Sequence, residues 1–497
     1  MYGMNDRSQH RWQVRVRSRE DPDLVLGAGV LLGPEFVLTC AHVALRAPEL
    51  VVDLMGHDGL PAVGAEVVDE LCVAEFPGVR RGDVALLRLR EPRPADDGAR
   101  LRRLAITRDR PARVLGYPRL FDDGLWALTT LVGRVGPEWV QMNRRSDVEQ
   151  RVRAGFSGSG VVDDLTGDVV GIVVAEYTDE EAGLSWMLPT EAIIAHLPLV
   201  DDWAVGGRGV DPSFTRPGLP ADDRATELAT QLRARSAEPG VRLVGGRDVD
   251  ALRQAVMLSG PGTEPLADLA IDVAGQSVEE VSRRIADRVG LTVDDGRSSR
   301  ERLAAGTPPM TVVAVEVDRA EDPESLIRDV FTPLVLYGGR LVLGLRDEDS
   351  VSRSMVRDLA IRAVGIRLDG LARRVAALDR RHARQITRLT GWLADTRLAA
   401  EVDPEGVVER LLPRLERRVA RLEPANPRGT GVAAERGRLE ALTARAGDAG
   451  MVEHEVLVAR HRRATELIAV EPPDLEAVRA AVQAYDDALR RLLEEQR

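Results

Sequence analysis

The 497-residue chain contains no lysine: all 68 of its basic residues are arginines, set against 80 acids for a net charge of -12. That absence excludes a complete GxxxxGK[ST] phosphate loop, Schiff-base chemistry and a Ser-Lys hydrolase dyad. Arginine cannot take over as a base, because it stays protonated. Cysteine is scarce as well, with only Cys40 and Cys72, too few for a disulfide framework. The first residues, MYGMNDRSQHRWQV, have neither an apolar stretch nor a small-residue cleavage site, which points to a cytoplasmic protein. Long apolar runs are missing too: stretches such as Val169 to Ala175 fall far short of the roughly 18 residues of a membrane span, and none is expected. The acidic balance argues against general affinity for nucleic acid.

What is present reads as an ordinary folded chain, 44% hydrophobic and 30% charged, long enough for about three domains of roughly 150 residues. From Trp12 to about Val200 the text is short β-branched runs broken by Gly, Pro and Asp, the pattern of a sandwich or barrel. We place this region at 1–200. A turn-rich linker with one helix near Asp222 to Ala237 occupies 201–240. Strand and helix then alternate over 241–346, which predicts an open α/β sheet. The remainder, 347–497, has helical periodicity and predicts an α-helical bundle. Within it, Val408, Leu412, Leu415, Val419 and Leu422, and again Leu475, Val478, Val482, Tyr485, Leu489 and Leu492, follow the three-four spacing of a coiled-coil-like seam. Packing within the chain is the simpler reading of both runs.

The chemistry concentrates in the first region. LLGPEFVLTCAHV sets His42 just after a buried-looking strand, RRGDVALLRL opens another strand with Asp83, and RVRAGFSGSGVV carries a glycine-flanked Ser157. A hydroxyl becomes a good nucleophile when an imidazole takes its proton, and a buried carboxylate fixes the tautomer of that imidazole. Ser157, His42 and Asp83 supply those roles in turn. Gly155 and Gly158 allow a tight turn that can aim the amides of Gly155 and Ser157 at a developing oxyanion. His10, His57, His196, His382, His454 and His461 lie in unrelated contexts and read as structural or solvated. With no HExxH or paired Cys/His spacing, neither a metal nor another cofactor is expected.

These segments resemble the trypsin-like (chymotrypsin-fold) serine peptidases, above all their bacterial intracellular members, over roughly residues 12 to 200. The family's T-x-A-H falls on Thr39 to His42, its D-[IV]-A-L on Asp83 to Leu86, and its G-x-S-G on Gly155 to Gly158. GLSWMLPTEAI is similar to the family's closing strand and final helix. Two departures stand out: Gly160 replaces the usual proline, and Val43 replaces the usual cysteine after the histidine. The resemblance implies an all-β double barrel with a His42-Asp83-Ser157 triad. It also implies a specificity pocket walled by Val173, Val174 and Ala175, shallow and apolar enough for small aliphatic side chains. Arg151 and Arg153 offer an alternative preference for acidic ones.

The stretch 241–346 resembles the α/β core of the STAND class of signalling NTPases, chiefly in TVVAVEVDRAEDPESLIRDVFTPL and GQSVEEVSRRIADRVGL. Where the phosphate loop would follow VRLV, the chain reads GGRDVDALRQAV, and Val315 stands at the position of the metal-organising aspartate. The later SGPGTEP is no substitute. The resemblance thus implies a degenerate, non-hydrolysing domain, with Gly245 and Gly246 a simple turn and Arg346, just past the last strand, within reach of a phosphate but unable to replace the whole cradle. Between Arg353 and Arg388 ten arginines meet three acids, a face suited to solvent or to an acidic partner.

The expected function is a serine endopeptidase acting on proteins or peptides, under the control of the C-terminal domains and their own protein partner. Association with bacterial fusions of this kind suggests defence or stress signalling. A catalytically inactive adaptor is the competing reading.

Overall fold

The computed structural model describes residues 11–495 except 56–59, 77–78, 106–108, 120, 146–151, 177–183, 217–222, 234–238, 259–264, 292–295, 348, 380–381, 423–438, 440–441, 444–445, 447–453 and 470–474. Arg151 and most of SGPGTEP lie outside the described residues.

Strands β1 (Gln13–Ser18), β2 (Val25–Leu32), β3 (Phe36–Thr39), β4 (Leu50–Leu54), β5 (Val63–Val73) and β6 (Val84–Leu89) close into an antiparallel barrel in the order β1-β2-β3-β6-β5-β4. A second antiparallel barrel is built from β8 (Arg110–Gly116), β9 (Leu125–Val135), β10 (Trp139–Arg144), β11 (Gly160–Asp163), β12 (Val169–Glu176) and β13 (Leu184–Pro189). Pairing of β11 with both β8 and β12 closes it. Alternating burial along β8 shows why these residues form barrel strands: Arg110, Ala112, Val114 and Gly116 face in while their neighbours are half-exposed. Each barrel has its own core, with Val14, Leu31, Leu38 and Leu86 in the first and Val114, Leu131, Met142 and Met187 in the second. Short parallel strands β7 (Leu101–Arg102) and β14 (Ala204–Val205) extend the second barrel beside β12.

The α/β region forms a four-stranded, all-parallel sheet of β15 (Gly240–Gly245), β16 (Leu269–Asp272), β17 (Thr311–Val315) and β18 (Arg340–Leu345), ordered β15-β18-β17-β16. Its strands read as continuous apolar runs because both faces are covered. Val312 and Ala314 pack with Val281, Ile285 and Leu303, whereas Val313 and Val315 pack with Leu228 and Leu252 on the other side.

The chain divides into two compact units, Met1–Ala363 and Val364–Arg497, so both barrels and the parallel sheet share the first. Within it the second barrel and the sheet region are joined by arginines. Arg102 bridges Asp168 at 2.6 Å and Asp287 at 3.0 Å, and Arg110, paired with Asp163 at 2.6 Å, also donates to the Val289 carbonyl at 2.6 Å. The second unit is helical. Leu412, Leu415 and Val419 pack against Leu368, Leu389 and Leu393, and Val478, Val482, Tyr485 and Leu489 pack against Leu457 and Ala464, so both heptad-like runs face inward within this unit. Arg367, from the arginine-rich stretch, pairs with Glu416 at 2.8 Å; Arg380 and Arg381 lie outside the described residues.

Candidate active site

His42 lies in the single helical turn Ala41–Ala44 that follows β3, with its side chain 46% exposed. Asp83 immediately precedes β6, the strand paired to β3, and its side chain is 3% exposed. Pairing Thr39 with Ala85 therefore carries the two residues together. The His42 ring Nδ1 meets Asp83 Oδ2 at 2.8 Å, and the His42 backbone N–H donates to Asp83 Oδ1 at 3.0 Å. One carboxylate thus fixes both the ring and the backbone of the same histidine, with Nε2 left outside that pair.

Ser157 is half-buried on a turn that the two barrels share. Its carbonyl accepts the Ala28 N–H of β2 at 2.8 Å, and the Gly158 N–H donates to the Val173 carbonyl of β12 at 2.8 Å. The flanking glycines are obligatory. Gly155 and Gly158 have φ of +97° and +85°, and a Cβ on Gly158 would come within 2.1 Å of the Ala28 carbonyl oxygen. At Gly155 a Cβ would come within 2.5 Å of the Tyr117 carbonyl oxygen.

Cys40 ties the histidine segment to the serine turn. Its thiol, fully buried, donates at 3.0 Å to the same Val173 carbonyl that receives Gly158. Burial first, then the nearby Asp83 carboxylate, pushes the Cys40 thiol well above its ordinary range. Cys40, His42 and Asp83 present ligand atoms within 4.8 Å of one another, and both oxygens of Asp83 are already engaged by His42. Glu75, close by, is also pushed up, by burial and then by the charge of Asp83.

The residues expected to wall a specificity pocket lie along β12, where Val173 packs into the second barrel's core and Val174 into the first's. Ala175 pairs with Trp186 of β13. Arg153 lies over the Phe121 ring, 5.4 Å from its centroid. Gly160 begins β11 directly beneath Trp12, where a Cβ would come within 2.8 Å of the indole. The departure from proline thus coincides with an aromatic lid on that position.

Sequence reading missed Glu138. It is buried just before β10, where it accepts the Gly82 N–H at 3.0 Å and meets His196 Nε2 at 2.7 Å. Burial alone would raise its carboxyl, but His196, the Gly82 amide and Arg81 together hold it below the ordinary value. No local spacing connects Glu138 to His196 or to Gly82, so no motif search could have found it.

In the sheet region, the turn after β15 is followed by a helix, Asp248–Met257, whose first residues include Asp248 and Asp250. Arg346 pairs with Asp250 at 2.5 Å and with the buried Glu316 at 2.9 Å. Among the described residues, no helix is long and apolar enough to cross a membrane.

Several solved structures are similar to this chain. An inactive form of a mutant Rv3671c from M. tuberculosis H37Rv is 21% identical, covers 39% of this chain and 89% of its own, and has a TM-score of 0.30. The MamO protease domain from Magnetospirillum magneticum is 18% identical over 38% of this chain and 96% of its own, with a TM-score of 0.29. A scabies mite inactivated protease paralogue is 17% identical over 40% and 98%, with a TM-score of 0.33. No curated protein matches the chain. Residues 27–172, which run from β2 into β12 and include His42, Asp83 and Ser157, match the model of the trypsin-like peptidase domain.

Proposed function

We propose that the protein is a serine endopeptidase in which Ser157 attacks the scissile carbonyl of a protein or peptide substrate. His42 Nε2 takes the Ser157 proton and returns it to the leaving amine, while Asp83 holds the ring and stabilises the imidazolium. The amides of Gly155 and Ser157 bind the oxyanion; one such donor is typically worth about 10² to 10³ in rate. The observation that carries this reading is the doubly bonded His42–Asp83 pair, with 2.8 and 3.0 Å contacts to a 3% exposed carboxylate. The preference for small aliphatic substrate side chains at Val173, Val174 and Ala175 rests on the family resemblance alone.

Two free cysteines fit a reducing compartment, for which we propose the cytoplasm. The parallel sheet is read as a degenerate STAND-like domain that regulates the peptidase without nucleotide chemistry, in concert with a protein partner and in a bacterial defence or stress role. Acids at the start of Asp248–Met257 oppose phosphate there, which supports that reading.

A fluorophosphonate probe tests the reading. Ser157 should label in the wild-type chain, and Ser157→Ala or His42→Ala should abolish the label. A wild-type chain that stays unlabelled and cleaves nothing would instead favour an inactive adaptor.

A further inference from the structure

Asp83 is held in a conformation that its own sequence disfavours. Gly82 and Asp83 have φ of +75° and +71°, so the residue bearing the catalytic carboxylate is a non-glycine in the left-handed region. That conformation costs on the order of 1–2 kcal/mol and persists only where neighbours impose it. Gly82 itself cannot be enlarged, since a Cβ would come within 2.6 Å of the Ala74 carbonyl oxygen.

The first barrel holds Asp83 itself, whose N–H donates to the Val73 carbonyl of β5 at 3.1 Å, and the second barrel holds the residue before it. The peptide groups of Gly82 are held at both ends by consecutive residues: Glu138 accepts its N–H at 3.0 Å, and Trp139 Nε1 donates to its carbonyl at 3.4 Å. Arg81 Nε lies 3.1 Å from Glu138 Oε1. The side chain of Glu138 is 5% exposed, and its partner His196, 8% exposed, is the last residue of the helix Thr190–His196. The His196 ring also stacks on Phe76, at 6.4 Å between centroids, and Arg81 covers Phe76 at 4.7 Å. The loop leading to Asp83 is thus gripped from two sides by one buried ion-pair cluster.

The same helix is anchored at its other end. Glu191, in its first turn, pairs with Arg288 of the sheet region at 2.7 Å and accepts the Gly209 N–H at 3.0 Å. Arg288 is 2% exposed and also donates to the Asp268 carbonyl at 2.6 Å.

We propose that Glu138 is a positioning residue for the triad: with His196 as its partner, it holds the Gly82 peptide so that the Asp83 carboxylate meets His42. The role rests on the peptidase reading for its effect on turnover, although the geometry it controls exists in the resting protein. A carboxylate displaced by about 1 Å typically costs on the order of 10²-fold in rate with little effect on substrate binding. Among the described residues Glu138 bonds to Gly82, His196 and Arg81 and to neither His42 nor Ser157, so its effect must pass through Gly82.

Two readouts on the full chain test this. In steady-state cleavage, Glu138→Ala should lower kcat by about tenfold or more while KM stays within about twofold. Glu138→Gln, which keeps an oxygen for the Gly82 N–H, should recover most of the loss. The second readout is the low-field proton resonance of the His42 Nδ1–H, assigned by its loss in Asp83→Asn. It should broaden or vanish in Glu138→Ala and persist in Glu138→Gln, whether or not Ser157 reacts. An unlabelled wild-type chain would overturn the peptidase reading and leave the resonance to decide the positioning role. Unchanged kcat and resonance in a folded Glu138→Ala, or equal losses in the Ala and Gln variants, would overturn the proposal. Should Glu138→Ala not fold, Glu138→Asp takes its place. It draws the carboxylate back from the Gly82 N–H by one methylene, and an unchanged kcat and resonance there would overturn the proposal equally.

Discussion

The thiol of Cys40 donates to the carbonyl of Val173 at 3.0 Å, and that oxygen also accepts the Gly158 amide at 2.8 Å. One acceptor on β12 therefore joins the segment before His42 to the turn behind Ser157. A single carbonyl with two lone pairs satisfies both donors, so neither is left unpaired in the core.

Cys40→Ala tests how far that shared acceptor matters. Val173 keeps its bond from Gly158, so the loss is one weak hydrogen bond and a sulfur-sized void, about 1–2 kcal/mol of stability. Cleavage should fall only a few-fold, because two bonds to His42 still hold the Asp83 carboxylate when the neighbouring thiol is gone. Thermal melting and kcat/KM check both. A complete loss of activity in a variant that melts like the wild type would give Cys40 a direct chemical role instead.

Gly160 offers the opposite test, since the family resemblance suggests that proline there would be harmless or helpful. The structure argues otherwise: a Cβ at this position comes within 2.8 Å of Trp12 and 2.9 Å of Val30, inside a buried strand that pairs with Ile172. Gly160→Pro should destabilise the chain by about 3 kcal/mol through overpacking, visible as a clearly lower melting temperature. Trp12→Ala in the same background should recover part of the loss by opening the space. A proline variant as stable as wild type would show that Trp12 moves aside without cost.

Much of the site was legible in the sequence because its residues stand at strand ends and tight turns, where residue type and conformation are closely coupled. His42 follows β3, Asp83 precedes β6, and Ser157 sits between glycines that need positive φ. The four parallel strands were readable for a related reason: VRLV, DLAIDV, TVVAV and RLVLGL are apolar runs because two faces are covered. Glu138, His196 and Gly82 were not readable. Glu138 and His196 are 58 positions apart, and a buried acid in a strand-rich segment carries no local signature. His196 was expected to be structural or solvated, and its partner is what gives it a role. The arginine bridges from Arg102 and Arg110 to Asp287 and Val289 were hidden likewise, since surface arginines are common and only the fold reveals which are buried.

The lowered pKa of Glu138 has a defined signature in acid. Burial works to raise it, but His196, the Gly82 amide and Arg81 outweigh that and depress it in the folded protein. A depressed carboxylate contributes stability that is fully present above its unfolded value, about 4.3, and is lost as pH falls through the folded value. Glu138→Gln carries no such charge. The melting-temperature gap between wild type and Glu138→Gln should therefore be largest near neutral pH and narrow as pH drops from about 5 toward 3. A gap that stays constant or widens over that interval would mean the ion pair contributes nothing in the folded state.

The last prediction concerns nucleotides. Tight binding of ATP with magnesium at the end of a parallel sheet needs a cation on the β and γ phosphates, a hydroxyl and a carboxylate for the metal, and free amides at a helix start. Here the helix after β15 opens with Asp248 and Asp250, both of which repel phosphate. Arg346, at the end of β18, is committed to Asp250 at 2.5 Å and to Glu316 at 2.9 Å. Those partners raise the Arg346 pKa further, Asp250 most strongly, so the guanidinium stays charged and engaged. Asp250 is correspondingly held down, chiefly by its hydrogen bond from Arg346. A phosphate would have to displace two carboxylates, one of them fully buried, and then face their uncompensated charge. Millimolar ATP with magnesium should leave the melting temperature of the full chain unchanged, and no phosphate should be released. Asp250→Asn frees one side of Arg346 and is the variant in which weak binding should first appear. A saturating rise in the wild-type melting temperature, abolished by Arg346→Ala, would show instead that the sheet has kept a working nucleotide site.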